Sequence, residues 1–335
     1  MPLISVIISA HDRKQYVLKA VESVLAQDIG RGNLEIIVVK NFQDEHIDEY
    51  LKQKGITSIL TEEKFIARKM VTGARSSHGE LIFFLDDDDL FLKNKISKVA
   101  EIFTSRQDVS MVHDNNSAID DYGNPISTKA VVSFEEDLYL SSNSTPREFG
   151  KALTYRGDWY ISCMSFRNDV FRSFEGDLWD IERSVDKFLF YMSLIRGKTV
   201  AILHDKLTCY RIHESLTTVK LSKKDFLINK SSFYNKSVET MRKIVESSNN
   251  QGMKLILSYG LFHADILARF FTPGKRIGFH DFFKLINYHR KLGNDASLSW
   301  ALISLISAFS MNFARSIYYR NYRKTYLISQ RSISR

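Results

Sequence analysis

The stretch ELIFFLDDDDLF, residues 80–91, is an apolar, strand-like run that ends in four consecutive carboxylates, Asp86, Asp87, Asp88 and Asp89. Four neighbouring negative charges repel one another and are costly to desolvate. A chain that sets them at the lip of a buried strand has a cation to hold there. Only oxygen ligands are on offer, which selects a hard divalent ion, Mg²⁺ or Mn²⁺. The competing reading is an acidic cap for the helix expected over Lys93–Phe103, but a cap needs one or two acids.

On either side of this stretch, strands and helices alternate with short connections. Leu3–Ser9, Leu34–Val39 and Glu80–Leu85 are apolar and strand-like, while Val17–Ala26, Asp44–Lys54 and Phe65–Ser76 have helical spacing. Such alternation predicts a parallel α/β sheet covered on both faces, with ligands bound beyond the carboxyl ends of the strands. The four aspartates fall at that edge. Further on, Ser110–Asp114, Tyr160–Phe166, Thr199–Leu203 and Leu207–Arg211 read as strands and Val185–Ile195 as a helix. Ser133–Gly150 reads as an acidic, Ser-rich connection without strong periodicity. From about Ser222 long helical patterns take over, so a boundary is placed near residue 220, giving domains 1–220 and 221–335.

Composition is that of a globular protein: 335 residues, 44% hydrophobic and 26% charged. The net charge of +8 allows attraction to polyanions without choosing among them. Nucleic acid is not expected as a partner, because the chain shows no stacking-aromatic or Cys/His reading module. Cys163 and Cys209 lack metal-ligand spacing and read as small buried thiols, which fits a reducing cytosol. The N-terminus reads as a first strand rather than a signal peptide.

Several phrases, in order, resemble family 2 glycosyltransferases: Glu22-Ser23-Val24-Leu25-Ala26-Gln27, the strand Glu35-Ile36-Ile37-Val38-Val39, the pair Ala67-Arg68, the turn Ser77-His78-Gly79-Glu80, the DxD-like Asp86-Asp87-Asp88, and Tyr210-Arg211-Ile212-His213-Glu214-Ser215-Leu216-Thr217. The resemblance covers residues 1 to about 218. It implies a GT-A fold, Rossmann-like with a mixed, mainly parallel sheet and flanking helices, followed here by a helical C-terminal region. It also implies inverting transfer of a sugar from a nucleoside-diphosphate donor to an acceptor hydroxyl or phosphate, and a glycan or lipid-linked acceptor follows if the C-terminal region meets a membrane.

On that resemblance Asp86 and Asp88 coordinate the metal, with Asp86 also reaching the donor ribose. Asp87, Ser9, His11 and Asp12 are placed on the donor, and Asp89 is a further contact. Arg68 and Arg211 are placed on the pyrophosphate or, alternatively, in structural ion pairs. His213 is either a ligand of the metal or diphosphate, or a packing residue. Asp186, opening the Val185–Ile195 helix, is the expected base, with Asp177 and Asp180 as rivals and a simple macrodipole role as the bland alternative. A catalytically silent sugar-nucleotide-binding regulatory protein on the same fold is the competing function.

The chain also departs from the family pattern. The usual acid that reads the nucleobase after the second strand is replaced by Lys40-Asn41-Phe42-Gln43, and Lys69 stands where an Asn usually follows the Ala-Arg pair. Residues 296–314 form a run without charges, followed by a basic, Tyr-rich tail containing Arg315, Tyr318, Tyr319, Arg320, Tyr322 and Arg323. That pattern fits either an interfacial helix on an anionic inner membrane face, with the tail aromatics as anchors, or a buried helix of a C-terminal bundle.

Overall fold

The computed structural model describes residues 2–128, 131–213 and 222–333, with side chains as far as residue 323. The chain forms two compact units, Met1–Ser141 with Gly157–Ile212, and Ser142–Arg156 with His213–Arg335. The boundary expected near residue 220 lies outside the described residues.

The first unit is a mixed sheet. β1 (Ile4–Ala10), β2 (Leu34–Lys40), β3 (Thr57–Leu60) and β4 (Leu81–Asp86) alternate with α1 (Lys14–Leu25), α2 (Glu45–Gln53) and α3 (Ile66–Arg75). All the pairings among these four strands are parallel, with β1 between β2 and β4 and Ser9 level with Asp86. Burial on both faces explains their continuous apolar runs: Ile4, Val6, Ile7, Ile8, Ile37, Val38 and Phe83 are all sealed from solvent. On α3, Gly73 lies so close to β1 that an added Cβ would sit 2.4 Å from Ile7 Cγ2, which excludes a larger residue.

Beyond β4 come β5 (Leu90–Phe91), α4 (Lys95–Ser105), β6 (Val109–Ile119), β7 (Pro125–Ile126), β8 (Leu138–Ser141), β9 (Met164–Arg167), α6 (Asn168–Arg172), α7 (Glu175–Trp179), α8 (Val185–Arg196) and β10 (Thr199–Arg211). α5 (Pro146–Thr154) belongs to the second unit. The strand order is β3-β2-β1-β4-β9-β6-β10-β5, and β9 runs antiparallel to both β4 and β6. The sheet order leaves β1 on one side of β4 and β9 on the other. Residues arriving from both flanks therefore converge on the β4 carboxyl end.

Three expectations change in detail, the first being Tyr160–Phe166, read as a strand, of which Ile161–Cys163 is a 3-10 turn and only Met164–Phe166 belongs to β9. The pair of strands read at Thr199–Leu203 and Leu207–Arg211 is one strand, irregular in register around Lys206, where the polar triplet His204-Asp205-Lys206 interrupts the apolar pattern. The segment read as unstructured, Ser133–Gly150, contains β8 and the first half of α5. The helix opens on a capping box in which Thr145 and Glu148 bond reciprocally.

The second unit is helical: α5, α9 (Lys223–Glu246), α10 (Lys254–Phe271), α11 (Phe279–Leu292), α12 (Asp295–Phe309) and α13 (Met311–Ile333). The uncharged run 296–314 does not form one helix, because it breaks at Ser310. Among the described residues no helix is long and apolar enough to cross a membrane. α12 buries Trp300 and Ala301, and the tail tyrosines Tyr318, Tyr319 and Tyr322 pack around Phe226. Arg315 is buried and donates to the Phe270 and Thr272 carbonyls. Trp300, Ala301, Arg315 and these three tyrosines therefore pack within the bundle.

Candidate active site

The β4 strand ends at Asp86, and a tight turn closed by the Asp89 N–H donating to the Asp86 carbonyl (3.2 Å) brings the next three carboxylates back toward it. Carboxylate oxygens of Asp86, Asp88 and Asp89 all lie within 4.8 Å of one another. Asp86 Oδ1 is buried and, among the described residues, accepts no hydrogen bond. Three hard oxygen donors, one of them orphaned, fit a divalent cation. Asp89, expected only as a further contact, is thus a full member of the cluster.

Burial pushes the Asp86 carboxyl up to about 8, reinforced by Asp88, Asp87 and Asp186 against the pull of Arg13. Asp89 is pushed well above the ordinary carboxylate range by burial and then by Asp88 and Asp86. Asp87 rises to about 6, again through burial, although Arg13 opposes it. Such shifts are what clustered acids show before a cation compensates them.

Arg13 just after β1 supplies the opposing charge. Its guanidinium pairs with Asp87 Oδ1 at 2.6 Å and also with Asp88. The His11 backbone N–H donates to Asp87 Oδ2 at 2.8 Å, which fixes this carboxylate to the end of β1. Asp87 is therefore engaged with the protein itself, while Asp86, Asp88 and Asp89 form the possible cation cluster. Ser162 ties the turn from the other side: it accepts from the Asp86 N–H (3.0 Å) and donates to Asp89 Oδ2 (2.6 Å). Behind it, buried Lys95 donates to Asp114 (2.5 Å), the Ser162 carbonyl (2.7 Å) and Thr208 Oγ1 (2.7 Å).

The donor side of the predicted site is built at the ends of β1 and β2. Asp12 adopts φ +60° and exchanges hydrogen bonds with Asn41, 3.2 Å from its N–H and 3.0 Å to its Oδ1. Asn41 thus holds a strained, exposed turn in place. Lys69 is buried under this turn and donates to the Ala10 carbonyl at 2.6 Å, with His11 Nδ1 at 2.9 Å. Burial lowers Lys69 to about 8 and also lowers the His11 imidazole, with Lys69 assisting. Ser9 is buried level with Asp86 on the neighbouring strand.

Asp186 lies in the first turn of α8, behind Ser184 at φ +55°. Burial pushes its carboxyl up to about 6, with Asp158 adding to the rise and Lys187 opposing it. Its charge also raises Asp86, so the two carboxyls share one electrostatic environment. Asp158 is buried and paired with Lys187. The rival Asp177 lies near Arg196, 3.8 Å away.

The remaining predicted residues fall in different settings. Arg211 is buried, donating from Nε to the Asp88 carbonyl (2.7 Å) and from Nη1 to the Asp120 and Asp121 carbonyls (2.7 and 3.0 Å), while its N–H donates to Asp89. It braces the acidic turn. Arg68 pairs with Glu63 at 3.1 Å and donates to the Trp179 carbonyl. His213 opens the second unit, and the rest of its phrase, Glu214 to Thr217, lies outside the described residues. Sequence reasoning missed Arg13 and Ser162. Arg13 carried a signal, being a cation just past the first strand in a site overloaded with acids, whereas Ser162 carried none.

A largely parallel half-sheet joined to antiparallel strands, with a carboxylate turn at the end of its fourth strand, defines a GT-A glycosyltransferase fold. Residues 5–164 match the family model described as Glycosyl transferase family 2. Among curated proteins it is 26% identical over 222 residues to an uncharacterized glycosyltransferase of Nostoc sp., covering 63% of this chain and 65% of that one. It is 23% identical over 218 residues to the glucosyl-dolichyl phosphate glucuronosyltransferase of Haloferax volcanii, covering 63% of each. Matches to uncharacterized glycosyltransferases of Rickettsia bellii and Haemophilus influenzae span only 20% and 38% of those relatives' lengths.

Among solved structures, S. aureus TarS 1-349 superposes with TM-score 0.58 at 14% identity, over 98% of this chain and 91% of that one. The same protein in complex with UDP-GlcNAc gives 0.55 at 12% identity over 95% and 92%. The mannosyltransferase PcManGT of Pyrobaculum calidifontis, in complex with GDP-Man and Mn2+, gives 0.53 at 14% identity over 94% and 86%. At these identities the likeness is one of fold.

Proposed function

We propose that this chain is a metal-dependent, inverting glycosyltransferase that moves a sugar from a nucleoside-diphosphate donor to an acceptor hydroxyl. The observation that carries the reading is an oxygen cluster (Asp86, Asp88, Asp89) whose Asp86 carboxyl feels the charge of a separate buried carboxyl, Asp186, on another element. The first suits the donor diphosphate and the second suits the acceptor proton.

Asp86, Asp88 and Asp89 would hold Mg²⁺ or Mn²⁺, with His213 a further candidate ligand; when bound, the ion supplies positive charge to the departing diphosphate. Asp87, Ser9, His11 and Asp12 flank the donor, with Arg68 and Arg211 as candidate phosphate contacts. Asp186 acts as base: it accepts the acceptor hydroxyl proton as that oxygen bonds to the anomeric carbon. The carbon–oxygen bond to the diphosphate breaks, and its electron pair leaves with the nucleotide. A carboxyl near 6 is ionised at neutral pH yet basic enough to take the proton. Arg13 balances the carboxylates before donor and cation arrive.

A glycan or lipid-linked acceptor in cell-surface assembly, met at the inner face of a membrane, is supported by the basic charge and by the dolichyl-phosphate name of one relative. The test is the melting temperature of the purified chain with a panel of nucleoside diphosphates and their sugars, with and without Mn²⁺. A Mn²⁺-dependent rise with one nucleotide, lost in Asp88→Ala, is expected. No rise with any nucleotide, in protein shown to be folded, sinks the reading.

A further inference from the structure

The helical unit carries a feature that sugar transfer does not use. We propose that the surface where the start of α11 meets the end of α12 docks onto an anionic lipid bilayer. Phe279 opens α11, and its ring meets Phe309, the last residue of α12, edge-on at 5.5 Å. The two are 49% and 78% exposed. Phe283, one turn along α11, is 66% exposed, and Phe313 in the first turn of α13 is 60% exposed.

The bundle does not bury these rings. α11 meets its packing needs with Leu285, Tyr288 and Leu292, and α12 with Trp300 and Ala301. Scattered exposed apolar residues are ordinary on a folded protein, but a contacting exposed pair, Phe279 and Phe309, with exposed Phe283 one helical turn from the first and exposed Phe313 four residues past the second, makes an apolar patch that needs a partner.

The charges around the patch indicate which partner. Lys275 and Arg276 in the loop before α11, and Lys284 on α11, are exposed. Between Asp265 and Phe313 the chain holds three acids. Asp265 and Asp281 are both paired with Arg269, at 2.8 and 2.7 Å. Asp295 stands at the far end of α12, roughly 20 Å from Phe309 at the helical rise. The aromatic patch thus has a cationic collar, the pattern of an interfacial anchor whose rings enter the headgroup boundary while lysine and arginine meet anionic lipid. A second copy of the chain suits it less well. A two-fold contact through this face would bring two cationic collars, with no exposed acid among the described residues between them, into the same interface.

This surface rests on the helical unit alone. The test is co-sedimentation of the full chain with phosphatidylcholine vesicles and with vesicles containing about a third phosphatidylglycerol. Affinity for the anionic vesicles about tenfold or more above that for neutral ones is expected. F283S/F313S should lower binding to anionic vesicles about tenfold or more, and K275Q/R276Q should remove most of the anionic preference. Circular dichroism and the Mn²⁺-dependent nucleotide shift should stay as in the parent. Equal binding by F283S/F313S, or no binding by the parent chain while the nucleotide shift persists, overturns the surface and leaves the transferase reading standing. Concentration-dependent dimerisation abolished by F283S/F313S also overturns it, in favour of a second copy. Vesicle binding that depends on these residues, in a chain that shows no nucleotide shift, supports the surface and removes the transferase reading.

Discussion

Ser162 and Asp89 are joined by a 2.6 Å hydrogen bond, and the same hydroxyl receives the Asp86 N–H, so one side chain spans the acidic turn. Replacing it with alanine leaves a buried amide and a buried carboxylate oxygen without this partner. Ser162→Ala is expected to cost about 1–3 kcal/mol in urea denaturation. It should also weaken Mn²⁺ binding, because the cluster loses the bond that orients Asp89. Unchanged stability and unchanged Mn²⁺ affinity would remove Ser162 from this role.

Arg13 makes a different prediction, because its charge does part of what a cation does. The side chain is about a third exposed, so its pairing with Asp87 and Asp88 is partly screened by solvent. Arg13→Gln should lower stability by about 1–2 kcal/mol in chelator. With saturating Mn²⁺ the gap to the parent chain should narrow. A loss equal in both conditions would mean that Arg13 acts by packing alone.

If Asp186 is the base, its carboxyl at about 6 predicts the acid limb of the activity profile. Below that pH the carboxyl is protonated and kcat falls; above it the base is free. Asp186→Asn should lower kcat by about 10²–10⁴ and abolish that limb while leaving nucleotide-dependent melting intact. Full activity in the variant would pass the role to another acid.

Stability should itself depend on pH in a direction opposite to that of most acid-rich proteins. Asp86 is raised to about 8, and Asp87 and Asp186 to about 6, all above the range of an unfolded chain. From about pH 4 to pH 8 the folded protein then holds more of these protons than the unfolded one, so their contribution is full at low pH and is lost as pH rises. In the absence of divalent ions, the parent chain should lose stability relative to Asp86→Asn between pH 5 and 8. Mn²⁺ should stabilise it more at pH 8 than at pH 6. A difference between the two proteins that stays flat across this range would count against a buried, cation-free cluster.

Much of this site was legible because its signals are local. A run such as Leu81 to Leu85 followed by Asp86 to Asp89 contains both the strand and its acidic end, and the helix bearing Asp186 is apolar and buried along most of its length. What escaped has its cause elsewhere in the chain. β3 is an exposed edge strand, so burial left no apolar run to read. The Lys95–Asp114–Thr208 network joins three elements whose members look like ordinary surface residues until the fold buries them. Ser162 is 73 residues from Asp89, and nothing in its own neighbourhood announces the partnership.

The path of α5 through the molecule sets an order of events during synthesis. Its Gly150 lies so close to the Leu292 carbonyl that an added Cβ would be only 1.7 Å from it, and Arg147 donates to the Arg290 carbonyl. These partners emerge from the ribosome on the order of ten seconds after α5 itself. The first unit's later strands, β9 and β10, are made during that interval. A newly made chain must therefore carry α5 as an undocked loop while the sheet on either side of it closes. Truncation after residue 212 would make that undocked state permanent.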